Sequence, residues 1–206
     1  MTVIEPEPGS SSAATLLRPG LLQGTSLLLA GPPTALGGAV ARAFPELGAR
    51  VASCLPDGED EAAIDAAVAG ALAEAGAIDM LVVDGAGLFG EGAPSALRAC
   101  LDSAWNVTRA VINTAFLPVQ RDPPTRRIVY LAPTADAGEH ALAARAGLEN
   151  LARTLSVEWA RHDVNVVTIA PGPTTPPEQV AALTAYLASP AGNYFSGCLL
   201  DLDACG

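Results

Sequence analysis

The sequence predicts an α/β fold: a doubly wound parallel sheet of about six strands between two helical layers, three layers in one domain. Two observations carry this. Short apolar runs alternate with Ala-rich helical stretches from residue 26 to the end of the chain. Each run is continuously apolar rather than alternating with polar residues, as expected of strands covered on both faces. A chain of 206 residues suits one domain with a substantial core, and no internal repeat divides it.

In chain order the strand-like runs are "SLLLA" (26–30), "RVASCL" (50–55), "DMLVV" (79–83), "RIVYL" (127–131), "NVVTIA" (165–170) and "CLLDL" (198–202). Helical patterns fall near 36–47, 60–76, 95–117, 138–161 and 177–188. The first helix follows a glycine-bearing turn. The second opens on "DGEDE", a solvated start that sets carboxylates at the positive end of the helix dipole. The two long helices, 95–117 and 138–161, must each turn one apolar stripe to the sheet. Strand–helix–strand units with right-handed crossovers then build a parallel sheet. Residues 1–14, with acidic residues, Pro and Ser, read as a flexible tail, leaving 15–206 as the folded domain.

Half of the residues are hydrophobic, 16% are charged, and the mean hydropathy is +0.33. That describes a heavily buried protein, one with surface to hide against a partner. A net charge of -11 and a pI near 4.4 argue against nucleic acid or an anionic membrane as partner, since both need clustered Lys and Arg. No apolar run approaches the length of a membrane span, and the N-terminus has neither a basic start nor an apolar signal core. Cys54, Cys100, Cys198 and Cys205 are scattered without C-x-x-C spacing, so reduced thiols are expected rather than disulfides or a metal site. These features point to the cytoplasm.

The turn in "SLLLAGPPTALGGAVARAFPELGARVASC", followed by "IDMLVVDGAG", "RRIVYLAP", "VNVVTIAPGP" and "NYFSGCLLDLDACG", resembles the short-chain dehydrogenase/reductase family. Its members carry T-G-x-x-x-G-x-G, N-A-A-G, a serine after the fifth strand, Y-x-x-x-K, a P-G turn and a closing T-G-x-x-x-x-V-D-G-G. The resemblance covers residues 21–206. It implies a Rossmann-like fold and, in intact members, a nicotinamide cofactor whose pyrophosphate meets the first helix N-terminus.

The departures are more informative than the matches. Gly31 keeps the first glycine of the phosphate turn, but Pro32 and Pro33 follow it and carry no N–H. Ala35 takes the middle glycine position, and only Gly37 keeps the last. With Asp84 and Gly87 in the N-A-A-G segment, this is expected to be a vestigial turn with no cofactor bound by this chain. Aligned with the family helix, the tyrosine position falls at Ala141 and the lysine position at Arg145. The serine position falls at Pro133 and the asparagine position near Cys100. Ala141 has no acidic proton and Pro133 no hydroxyl, so the general acid–base roles are vacant. Among neighbours, His140 faces about 100° away along the helix. Thr134 would still lack its tyrosine, Tyr130 is expected in core or lid packing, and Arg145 is expected at the surface or in a salt bridge.

Two trims agree. The second strand runs straight to the helix near 60, without the family's intervening βα segment. Asp57 resembles an adenine-contacting acid but reads better as part of a solvated helix start. Few residues separate "APGPTTPP" from "EQVAALTAYLASP", where active members carry a substrate-covering helix pair.

In the resembled family the two long helices form a bundle with a neighbouring subunit, and the closing strand forms the other common interface. The expected interface residues are Leu97, Leu101, Ala104, Trp105, Thr108 and Ile112 on the first helix. Ala146, Leu151 and Trp159 join them from the second, and Leu200 from the last strand; a well-packed core of the chain itself accounts for some of them instead. The resemblance therefore implies a non-catalytic subunit paired with an intact, NAD-using family member in a heterotetramer. Pairing of an intact with a degenerate subunit is known in the family, for an enzyme oxidising a hydroxyacyl-CoA. The alternatives are an active oxidoreductase with an atypical site, and a ligand-sensing or regulatory protein using the leftover cleft near Gly31, Asp84 and Gly87.

Overall fold

A computed structural model describes residues 17–55, 60–90, 93–118 and 126–202. The tail over 1–14, Asp57 and Cys205 lie outside the described residues. The strands are β1 (Ser26–Ala30), β2 (Arg50–Cys54), β3 (Met80–Asp84), β4 (Arg126–Leu131), β5 (Val164–Ala170) and β6 (Cys198–Asp201). They form one six-stranded sheet in the order β2-β1-β3-β4-β5-β6, every pair parallel. Among the described residues β2 closes one edge, as the direct run from β2 into the next helix requires.

The continuous apolar runs are explained by two cores. Leu28, Leu81, Val83, Ile128, Tyr130 and Val166 point to one side, and Leu27, Leu29, Met80, Val82, Val129 and Ile169 to the other. On the second side α1 (Ala35–Glu46) packs against the helix Pro177–Ala188, here α6. On the first side lie α2 (Glu61–Ala75), α4 (Ala96–Val111) and α5 (Ala141–Glu158), with α4 in contact with both neighbours. Local chemistry sets several ends. Thr34 caps α1 through its hydroxyl, Asp60 caps α2, Gly76 closes α2 in the left-handed region, and Pro177 starts α6.

Three details differ from the sequence reading. A five-residue helix, α3 (Gly85–Phe89), follows β3 directly. α4 ends in a π-helical turn over Ile112–Phe116. The last long helix starts at Ala141 rather than 138, because residues 138–140 form a turn in which Ala141 N–H donates to Gly138 O. No helix among the described residues is long and apolar enough to cross a membrane.

Candidate functional site at the carboxyl edge of the sheet

Because all strands are parallel, the segments leaving β1, β3, β4, β5 and β6 gather along one edge of the sheet. The order reverses between β1 and β3, and the crevice at such a switch point is where open α/β sheets bind ligands. Two clusters of hydrogen bonds fill this edge.

The first lies at the switch point. Asp84, the last residue of β3, is 1% exposed. Its Oδ2 accepts from Thr34 Oγ1 at 2.6 Å and from Thr34 N at 3.2 Å. Its Oδ1 accepts from Gly87 N at 3.1 Å and caps α3. Burial pushes the Asp84 carboxyl above its ordinary value, against the lowering effect of the Thr34 hydroxyl and of the Gly87, Thr34 and Gly37 amides. Around it the backbones close up. A Cβ on Gly37 would overlap Asp84 Oδ2, and one on Gly87 would overlap the Pro32 carbonyl oxygen. One on Gly31, at φ +121°, would sit 3.0 Å from Asp84 O.

The residues present do not fit a dinucleotide pyrophosphate. That group needs backbone donors at the first helix N-terminus. Pro32 and Pro33 have none. Gly31 N donates to Cys54 O, Thr34 N to Asp84, Leu36 N and Gly37 N to Thr34 Oγ1, and Gly38 N to Thr34 O. A buried carboxylate already faces these groups and would repel a second anion. Pro32, Pro33 and Ala35 are exposed, whereas Gly31 and Gly37 are buried, and the turn connects β1 to α1.

The second cluster gathers around Arg145 on α5. Arg145, expected at the surface or in a salt bridge, is 8% exposed. Its Nη1 donates to Pro171 O at 2.8 Å and Pro133 O at 3.1 Å, and its Nη2 pairs with Asp201 Oδ1 at 3.2 Å. A planar guanidinium can serve three acceptors from one rigid fork; here it ties the ends of β4, β5 and β6 together. The surface placement is therefore corrected, and the salt bridge is one part of a larger clamp. Ala141 is fully buried in the apolar cluster that also holds Tyr130 and Leu148, so a tyrosine there would overpack the core.

Cys100 is buried, with Sγ 3.4 Å from Gly85 O. Burial, helped by the Asp84 charge, pushes its thiol up to about 12, which suits a packed side chain rather than a nucleophile. Tyr130 is fully buried and shares a 3.0 Å hydrogen bond with Thr108. His140 is half-buried just before α5, and Thr134 is half-buried in the preceding loop.

The expected interface residues divide. Ala104, Thr108, Ile112 and Trp159 belong to the chain's own core. They are corrected on that ground: α4 touches the sheet, α2 and α5, so its extra apolar positions face its own neighbours. Leu97, Leu101, Leu151 and Leu200 are half-buried, while Trp105 and Ala146 are exposed. Leu142, Ala146 and Val157 fall on one stripe of α5, with Leu142 66% and Val157 79% exposed. The Glu149–Arg153 ion pair interrupts that stripe. At the other end of the sheet a groove of about 340 Å³ runs between α6 and β6, lined by Leu183, Tyr186, Leu187, Phe195, Leu199, Leu200, Asp201 and Leu202.

The sequence reading missed the contacts of Thr34, Asp84 and Asp201. The one available signal was an acid at the N-A-A-G asparagine position beside a threonine just before the first helix.

Comparison with known proteins agrees with this architecture. A family model described as "Enoyl-(Acyl carrier protein) reductase" matches residues 21–177. The peroxisomal 2,4-dienoyl-CoA reductase of Pongo abelii is 29% identical, the match covering 76% of this chain and 67% of that protein. Among solved structures, the citronellol catabolism dehydrogenase of Pseudomonas aeruginosa superposes with a TM-score of 0.73 at 25% identity, over 91% of this chain and 96% of that one. A short chain dehydrogenase from Mycobacterium smegmatis shares the fold, with a TM-score of 0.75 at 24% identity over 89% and 93% of the two chains. On the family match over most of its length, the chain belongs to the short-chain dehydrogenase/reductase family.

Proposed function

We propose that this chain is a non-catalytic subunit that assembles with and stabilises a catalytically intact short-chain dehydrogenase, the partner holding the NAD. The observation that carries the reading is the fate of the Y-x-x-x-K pair. Ala141 is sealed in the core, and Arg145 is spent on two carbonyls and a carboxylate. On this reading Ala141 leaves the family's tyrosine position without a general acid, and Arg145 is engaged with Pro133, Pro171 and Asp201 instead. The use of the α1 amides by the chain's own groups supports the absence of a bound nucleotide. Exposed apolar residues on α5 and the groove beside β6 support association. The dienoyl-CoA reductase among the relatives supports an acyl-CoA as the partner's substrate class; oxidation of a hydroxyacyl-CoA is the reaction we assign to it.

Thermal unfolding of the isolated chain with NAD+, NADH, NADP+ and NADPH tests the nucleotide part. A ligand at 100 times its Kd stabilises a folded protein by about 2.7 kcal/mol, raising Tm by about 5 to 10 °C in a chain of this size. No shift is expected with any of the four. A shift of that size would instead support an active oxidoreductase with an atypical site, or a nucleotide sensor.

A further inference from the structure

We propose that Asp84 is a built-in ligand: its carboxylate stands where an anion would bind at the N-terminus of α1 and holds the switch-point crevice shut. The inference rests on the reading that this chain holds no nucleotide, and it names what occupies the place instead. Three features support it. The carboxylate accepts from the N–H and the hydroxyl of Thr34, the N-cap of a twelve-residue helix, at the end where the helix dipole favours negative charge. It takes hydrogen bonds from both sides of the crevice, from Thr34 on the β1–α1 turn and from Gly87 on α3. The surrounding glycines leave no gap, since a Cβ at Gly37 would overlap Asp84 Oδ2 and one at Gly87 would overlap Pro32 O.

The residue type matters. An asparagine offers one acceptor oxygen and turns an NH2 toward one of these donors, whereas an aspartate accepts on both oxygens. A tethered anion also loses no translational freedom on binding, so it outcompetes a free one at ordinary concentrations. The crevice is thus closed from inside by a group that imitates the charge of the missing ligand.

The test is chemical rescue. Asp84→Ala should lower Tm by several degrees, and sodium formate should restore at least half of that loss relative to sodium chloride at equal ionic strength. The unaltered chain should respond alike to the two salts. Thr34→Val should also lower Tm, with no preference for formate beyond that of the unaltered chain. If Asp84→Ala does not fold, Asp84→Asn keeps the shape and should still unfold several degrees early.

Asp84→Ala destabilised without a formate preference would overturn the inference, as would Asp84→Asn unfolding at the same temperature as the unaltered chain. Neither result touches the reading that no nucleotide binds. That reading fails separately, if a nucleotide stabilises the unaltered chain.

Discussion

Arg145→Met is expected to lower the unfolding free energy by about 3 kcal/mol, measured by urea denaturation. The guanidinium serves the carbonyl oxygens of Pro133 and Pro171 and the carboxylate of Asp201. Methionine fills much of the volume and supplies no donor. Each buried carbonyl left without a partner costs about 1 to 3 kcal/mol. The Asp201 side chain is 40% exposed and recovers part of its loss from water, so it adds little. Arg145→Lys should fall between the two, because a compact ammonium cannot reach all three acceptors with one planar fork. On the proposed reading the lysine variant should still show no dehydrogenase activity with NAD+ or NADP+ and a panel of alcohols, since Ala141 carries no proton to give. A large gain of activity from this single change would mean that the site is dormant rather than dismantled.

Gly87→Ala should cost about 2 to 3 kcal/mol, at the upper end of the usual overpacking penalty. The methyl group would overlap the carbonyl oxygen of Pro32 and press within 3.2 Å of the Thr34 methyl. The first obstacle is backbone, so no rotamer change relieves it. Relief requires α3 and the β1–α1 turn to part, which stretches the Gly87–Asp84 and Thr34–Asp84 hydrogen bonds together. Urea denaturation reads the cost. Hydrogen exchange shows its location, with protection expected to fall at Thr34 and Gly87 before the β4–β5 core. Gly38→Ala is the control: its added carbon meets only the end of the Arg42 side chain at 3.4 Å, and a cost near zero is expected.

The strands were legible because burial on both faces leaves a continuous apolar run, and all six fall within one residue of the positions read from the sequence. α3 was not, being five residues long with two glycines and held by the Asp84 cap rather than by propensity. The resemblance sets Ala141 and Pro133 at the family's tyrosine and serine positions, and neither side chain can transfer a proton. The contacts of Thr34, Asp84 and Arg145 were hidden by distance along the chain. Thr34 and Asp84 are 50 residues apart, and Arg145 and Asp201 are 56 apart. The assignment of Ala104, Thr108, Ile112 and Trp159 to an interface failed for a related reason. Periodicity identifies an apolar stripe but does not say whether it faces the sheet, a neighbouring helix of the same chain, or another subunit.

Native mass spectrometry of the tagged protein, isolated gently from its own host, tests the central claim most directly. A stable heterotetramer is expected, in which this chain and an intact short-chain dehydrogenase appear in equal copies, with nucleotide retained only by the intact subunit. A homo-oligomer of this chain alone, carrying a bound nicotinamide nucleotide, would contradict it.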